Sequence, residues 1–167
     1  INNYKNIFAS LDIQVAQILL TLFDSNVRNH YLNARNTINI LLSKDIVPII
    51  NENDTIATEE IKIGDNDRLA ARVSQMVGAS YLILLSDVDG LFDKNPKIHD
   101  DAKLITQIDE ITPKIEKMAK APTSNLGTGG MVTKIKAAKI AGNSGCNTII
   151  ASGIGNNPLQ NIIENKA

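Results

Sequence analysis

Three glycines within four positions, in the stretch NLGTGGMVTK (Asn125 to Lys134), stand directly ahead of a helix-like run that opens with a lysine. Backbone amides freed by Gly127, Gly129 and Gly130 can turn towards one point and form a nest for an anion. Thr128 and Thr133 bring hydroxyls to the same place. A lysine in a first helical turn is unfavourable against the positive end of the macrodipole, unless a polyanion is shared by both. The bland alternative is a mobile surface loop with a solvated lysine. Two familiar phosphate-loop patterns are not met. Lys134 follows Thr133 and precedes Ile135, which departs from GxxxxGK[ST], and GxGxxG is absent as well. Gly153 and Gly155 make only a lone GxG.

Further polar clusters have the residue types for ligand contacts. NEND (Asn51, Glu52, Asn53, Asp54) follows a short apolar run, where amide and carboxylate groups suit a ligand's amine. In GDND, Asn66 is a candidate ligand contact, and Asp67 is either an N-cap or a carboxylate that holds lysines in place. In SDVDG, Asp89-Gly90 marks a turn, while Ser86 and Asp87 stand at a strand end. Other chemistries are poorly provided for. His30 and His99 have no neighbouring carboxylate or cysteine pattern for a metal. No GxSxG elbow occurs, and Cys146, without a basic neighbour, reads as structural.

These clusters need elements to position them. Tyr4, Ile7, Phe8 and Leu11 share a helical face, and residues 13–21 read as a strand. Asp24 and Ser25 offer N-caps for one long helix through Asp45, with Leu32, Ile38, Leu41 and Leu42 inward. IVPII (Ile46 to Ile50) reads as a buried strand, although Pro48 lacks a ladder donor and argues against a central place. A helix capped by Asp67 buries Leu69, Val73, Met76 and Val77, and YLILLS (Tyr81 to Ser86) is another apolar strand. Asp101 to Glu110 holds a short strand, and Pro113 opens a helix running to Ala121. After the glycine loop and its helix come NTIIAS as a strand and Pro158 to Asn165 as a last helix. Continuous apolar strands alternating with helices indicate α/β with a mostly parallel sheet covered by helices. In such sheets ligands gather at the carboxyl ends of strands, which is where NEND, SDVDG and ASG fall. No repeat or linker divides the 167 residues, so they read as a single domain.

Composition narrows the function classes. A net charge of −1 lacks the basic excess of a nucleic-acid footprint, and 4% aromatics without Trp gives few stacking platforms. The single cysteine suits a reducing cytoplasm. No apolar stretch approaches the ~18 residues of a membrane helix. Neither nucleic acid nor membrane is therefore expected as a partner.

Taken in order, IVPIINEND, EIKIGDND, LLSDVDGLF and GTGGMVTKIKAA resemble the signature blocks of the glutamate 5-kinases, within the amino acid kinase superfamily. YLNARNT is similar to the helix that precedes the first block. The resemblance implies a three-layer sandwich with helices on both faces of the sheet. It also implies ATP-dependent phosphorylation of the L-glutamate side-chain carboxylate, the committed step towards proline. By matching position, Asp54 and Asn66, with Asn51 beside them, look like the glutamate contacts. Ser86 and Asp87 match a nucleotide-contacting pair, and Thr128, Gly129, Gly130, Met131, Val132, Thr133 and Lys134 match the ATP loop. Asp67 resembles the aspartate that organises two catalytic lysines, one of them Lys134. ATP and Mg2+, the metal carried mainly by phosphate oxygens and water, are the implied cofactors, and a homo-oligomer is the implied assembly. Relatives open with a strand ending in a lysine and a glycine-serine loop, and many carry an RNA-type accessory domain. Neither is found here, so the chain reads as an incomplete kinase domain lacking its N-terminal strand. Aspartate, acetylglutamate, carbamate and uridylate kinases share the fold, and a sensing module without turnover is the alternative from another class.

Overall fold

In the computed structural model, residues 2–53, 65–96, 98–120 and 130–164 are described. Helix α1 (Asn2–Ala9) leads into β1 (Val15–Leu20), followed by a short α2 (Leu22–Asn26), α3 (Arg28–Leu42) and β2 (Val47–Glu52). Then come α4 (Asp65–Val77), β3 (Tyr81–Ser86), α5 (Pro113–Ala119), α6 (Gly130–Gly142), β4 (Asn147–Ser152) and α7 (Pro158–Ile163).

Both strand ladders among the described residues are parallel. Among the described residues, β1 pairs with β2 from Val15↔Val47 to Leu20↔Glu52, and β3 with β4 from Tyr81↔Asn147 to Ser86↔Ser152. These are two separate ladders. Val47 N–H donates to the Gln14 carbonyl and Asn53 N–H to the Leu20 carbonyl, so odd-numbered β2 residues face β1. Pro48 points the other way, where its missing donor leaves no bond to β1 unmade. This resolves the objection that proline raised against the strand.

Helix α4 touches both ladders, through β2 and β3, and lies against α3 and α6. On one side Leu69 and Met76 of α4 join Leu20 and Ala34, with Ile18, Tyr31 and Ile50 packed around them. On the other, Ala71 joins Leu82, Leu84, Ala137, Ala141 and Cys146. The thiol is buried among apolar side chains, as a structural cysteine is. A third cluster sets Leu91 and Ala119 against Ile135 of α6. The α/β class with parallel strands and covering helices agrees with the sequence reading. The strands do not bury continuously, however: Leu82 and Leu84 are buried while Tyr81 and Leu85 are exposed, as is Leu19 in β1.

Several boundaries differ from expectation. Thr21, not Asp24, caps the helix after β1. Its hydroxyl accepts from Asp24 N–H while the Asp24 carboxylate accepts from Thr21 N–H, closing a capping box. The long helix expected there is broken at Val27, whose φ −91° and ψ 116° are extended. Starting at Arg28, α3 turns Tyr31, Ala34, Ile38 and Leu41 inward at helical spacing, and leaves Leu32 and Leu42 exposed. Residues 101–110 contribute a single antiparallel bridge, Leu104 with Phe92, rather than a strand.

Candidate functional site

Asp65 and Asn66 are already helical in α4, so Asp67 sits within the helix, near its first described residue, and does not cap it. A carboxylate there is favoured by the positive end of the helix. From Asp67, residues four and eight positions on lie on the same face, and these are Ala71 and Gln75. Across from them α6 presents Lys134, Ala137 and Ala141, at the complementary spacing of three and seven. Ala71, Ala137 and Ala141 are each fully buried at 0% exposure, so small side chains line the contact at these positions. At the far end the Gln75 amide donates to the Ile140 carbonyl at 2.8 Å. A seam of small residues with one polar stitch thus fixes how the two helix starts meet.

What meets is a three-membered cluster. The Thr133 hydroxyl donates to Asp67 Oδ2 at 2.7 Å. Lys134 Nζ donates to the same carboxylate at 3.2 Å from Oδ2 and 3.4 Å from Oδ1. Lys134 is the fifth described residue of α6. Side chains on a helix lean towards its N-terminus, which carries the ammonium back to the helix start. The side chain keeps 11% of its surface exposed, and that of Asp67 keeps 21%. A freely solvated lysine, the bland reading of this position, is excluded. Burying a cation is costly unless it is paired, and Asp67 supplies the pair.

The other candidate residues fall around this cluster to different degrees. Gly130 opens α6, while Met131 and Val132 pack against the cluster of Leu91, Ala119 and Ile135. Ser86 ends β3, and its hydroxyl donates to the neighbouring Asp87 carboxylate at 3.2 Å. A Cβ on Gly153, just past β4, would come within 3.1 Å of Leu85 Cβ, so the ends of β3 and β4 close tightly there. Asn66 is exposed in the first turn of α4, and Asn51 is exposed near the end of β2. Asp54, Thr128 and Gly129 lie outside the described residues. Among the described residues no three His, Cys, Asp or Glu groups gather closely enough to hold a metal ion. None of the described helices is long and apolar enough to cross a membrane.

Two aspects of the site were not read from sequence. Gln75 had no assigned role, and its signal was a polar residue on the inward stripe of α4, in register with Asp67. Thr133 reads from sequence as a nucleotide contact, and its hydroxyl also lies 2.7 Å from Asp67 Oδ2, a partner 66 positions away.

The arrangement is a cation held buried beside the amino end of a helix, braced by a carboxylate from the start of a second helix. It suits an anionic ligand whose charge increases during reaction. The amino acid kinase family matches residues 1–152 of the chain. Glutamate 5-kinase from Pelagibacter ubique (strain HTCC1062) is 55% identical over 163 residues, 98% of this chain and 44% of that protein. Glutamate 5-kinase from Rhizobium rhizogenes (strain K84 / ATCC BAA-868) is 59% identical over 156 residues, 93% of this chain and 40% of that protein. The chain therefore spans less than half the length of these curated relatives. Among solved structures, an isopentenyl phosphate kinase aligns with a TM-score of 0.61 at 17% identity, covering 99% of this chain and 61% of that one. At that identity the likeness is one of fold.

Proposed function

The chain belongs to the amino acid kinase family, and from that premise we propose that the protein transfers the γ-phosphoryl group of ATP to the side-chain carboxylate of L-glutamate. The observation that carries the reading is the Thr133–Asp67–Lys134 cluster, in which a buried ammonium is braced at the start of α6. The relatives named glutamate 5-kinase support the choice of acceptor.

A glutamate carboxylate oxygen attacks the γ-phosphorus, the bond from phosphorus to the β,γ-bridging oxygen breaks, and that electron pair leaves on ADP. The products are glutamyl 5-phosphate and ADP. The attacking carboxylate is already ionised at neutral pH, so no general base is needed. What the reaction needs is alignment and positive charge around the transferring group. Lys134 supplies charge on the nucleotide side, and Asp67 keeps it aimed. The amides at the start of α6, with Thr128 and Gly129 before it, would take the phosphate oxygens. Ser86 and Asp87 would contact the nucleotide from the end of β3, and Asn51, Asp54 and Asn66 would receive the amino acid. Magnesium would arrive on the triphosphate, held by phosphate oxygens and water.

The test is an acceptor comparison with the full-length protein and ATP, using L-glutamate, L-aspartate, N-acetylglutamate and UMP. ADP release with L-glutamate well above the other three is the expected result. Release with UMP and none with L-glutamate would replace the acceptor, and nucleotide binding without turnover on any acceptor would favour a sensing module.

A further inference from the structure

We propose that Thr133 is a positioning residue: its hydroxyl aims the Asp67 carboxylate, and through it the Lys134 ammonium, instead of touching the nucleotide. The proposal rests on the phosphoryl-transfer reading above. A threonine hydroxyl has one proton, and two acceptors stand within reach here, Asp67 Oδ2 at 2.7 Å and the Gly130 carbonyl at 3.0 Å. The carboxylate takes it, because bonds to a charged acceptor are shorter and stronger than bonds to a neutral one. Having given its proton to Asp67, Thr133 has only lone pairs left for a ligand, and lone pairs repel a phosphate oxygen.

The lysine is held differently. Its distances of 3.2 and 3.4 Å exceed the roughly 2.7–2.9 Å of a tight ammonium–carboxylate bond. Lys134 also has three donors, so a loose pair leaves it able to turn one towards an incoming oxygen. The short bond to the neutral hydroxyl therefore anchors the carboxylate, and the cation is the adjustable member. Threonine suits the task because a helix favours the rotamer that places its Oγ near the carbonyl three or four residues earlier, as occurs with Gly130. Aiming Asp67 thus asks no unusual side-chain geometry.

The experiment compares Thr133→Val, which keeps the shape and removes the hydroxyl, with Thr133→Ser, which keeps the hydroxyl. In the full-length protein, Thr133→Val is expected to lower kcat about 10-fold or more, the weight of one hydrogen bond to a charged group. KM for ATP should move little, and Thr133→Ser should recover most of the rate. A raised KM for ATP at unchanged kcat would put the hydroxyl on the nucleotide and overturn the proposal. Equal losses in both variants, following a lowered melting temperature, would make Thr133 a packing residue and overturn it too. Crystal structures of the variants give a readout without turnover. The Asp67 carboxylate should leave hydrogen-bond reach of Lys134 in Thr133→Val and keep it in Thr133→Ser, and an unmoved pair in Thr133→Val would refute the role. If the wild-type protein phosphorylated none of the four acceptors, the functional reading would fall, and these structures would still decide what Thr133 does.

Discussion

Two clusters in this molecule share a design, a threonine bonded to an aspartate that also meets a basic side chain, and they do different things. In the first, Thr21 Oγ1 donates to Asp24 Oδ2 at 2.7 Å, and Asp24 Oδ1 meets His30 Nδ1 at 2.8 Å. In the second, Thr133 donates to Asp67 at the same 2.7 Å, and Lys134 completes it. The first spans three and six positions of sequence, and the second spans 66 and 67. A local cluster can only shape its own turn: it starts α2, and His30 is half exposed at its edge, with Phe23 edge-on to the ring. A non-local cluster joins two helix starts and buries its cation, which is what a site for a charged ligand needs. Span and burial separate the two, not the residue types.

The contrast breaks most visibly at Asp67. Replacing it with alanine leaves Lys134 buried without its carboxylate, which should destabilise the protein by about 3 kcal/mol, read by denaturant titration. Under the proposed function, the same variant should also lose turnover on the order of 100-fold, the weight of a preorganised transition-state charge. Next in size is the seam. Ala137→Leu forces a branched side chain into a contact with no exposed surface, with an expected cost of about 1–3 kcal/mol. It should also lower kcat by spreading α4 from α6, so a variant that lost stability and kept full activity would show that the helix approach does not set the site.

The smallest effects belong to the local cluster. Thr21→Ala removes the cap and should cost about 1 kcal/mol, with kcat and KM unchanged. Its pH dependence follows from Asp24. Burial works against the ionised form, but the Thr21 hydroxyl, the Thr21 N–H and His30 outweigh it, and the carboxyl is held below its ordinary value of 3.8. A depressed folded pKa gives stability that is present above the unfolded value and lost as pH falls through the folded one. The stability gap between wild type and Asp24→Ala should therefore shrink as the pH falls below about 3.8, measured by thermal melts across acid buffers. A gap that instead widened in acid would reverse the assignment of Asp24.

Much of the architecture was legible because it rests on short-range patterns. The apolar runs IVPII, YLILLS and NTIIAS gave strands, and the stripe of Leu69, Val73, Met76 and Val77 gave the buried face of α4. Pro113 behind Thr112 marked the start of α5. The break at Val27 was not legible, since neither glycine nor proline marks it. The role of Thr21 was hidden by two better-looking caps, one of which is its partner in the capping box. Lys134 and Asp67 could be chosen from residue types and family blocks, but their meeting depends on alanines at positions 71, 137 and 141 allowing two helices to approach. For Thr133, the residue type admits a phosphate contact and a carboxylate contact equally, and only the fold brings Asp67 to it.

The central claim, that the non-local cluster carries the chemistry, is tested most directly by single-turnover phosphoryl transfer to L-glutamate at saturating ATP. The full-length wild type would be compared with Lys134→Ala and His30→Ala. The account predicts that Lys134→Ala slows the transfer step by a factor on the order of 100 or more, the weight of a preorganised charge, while His30→Ala leaves it unchanged. Transfer at the wild-type rate in Lys134→Ala, or an equal loss in both variants, would contradict it.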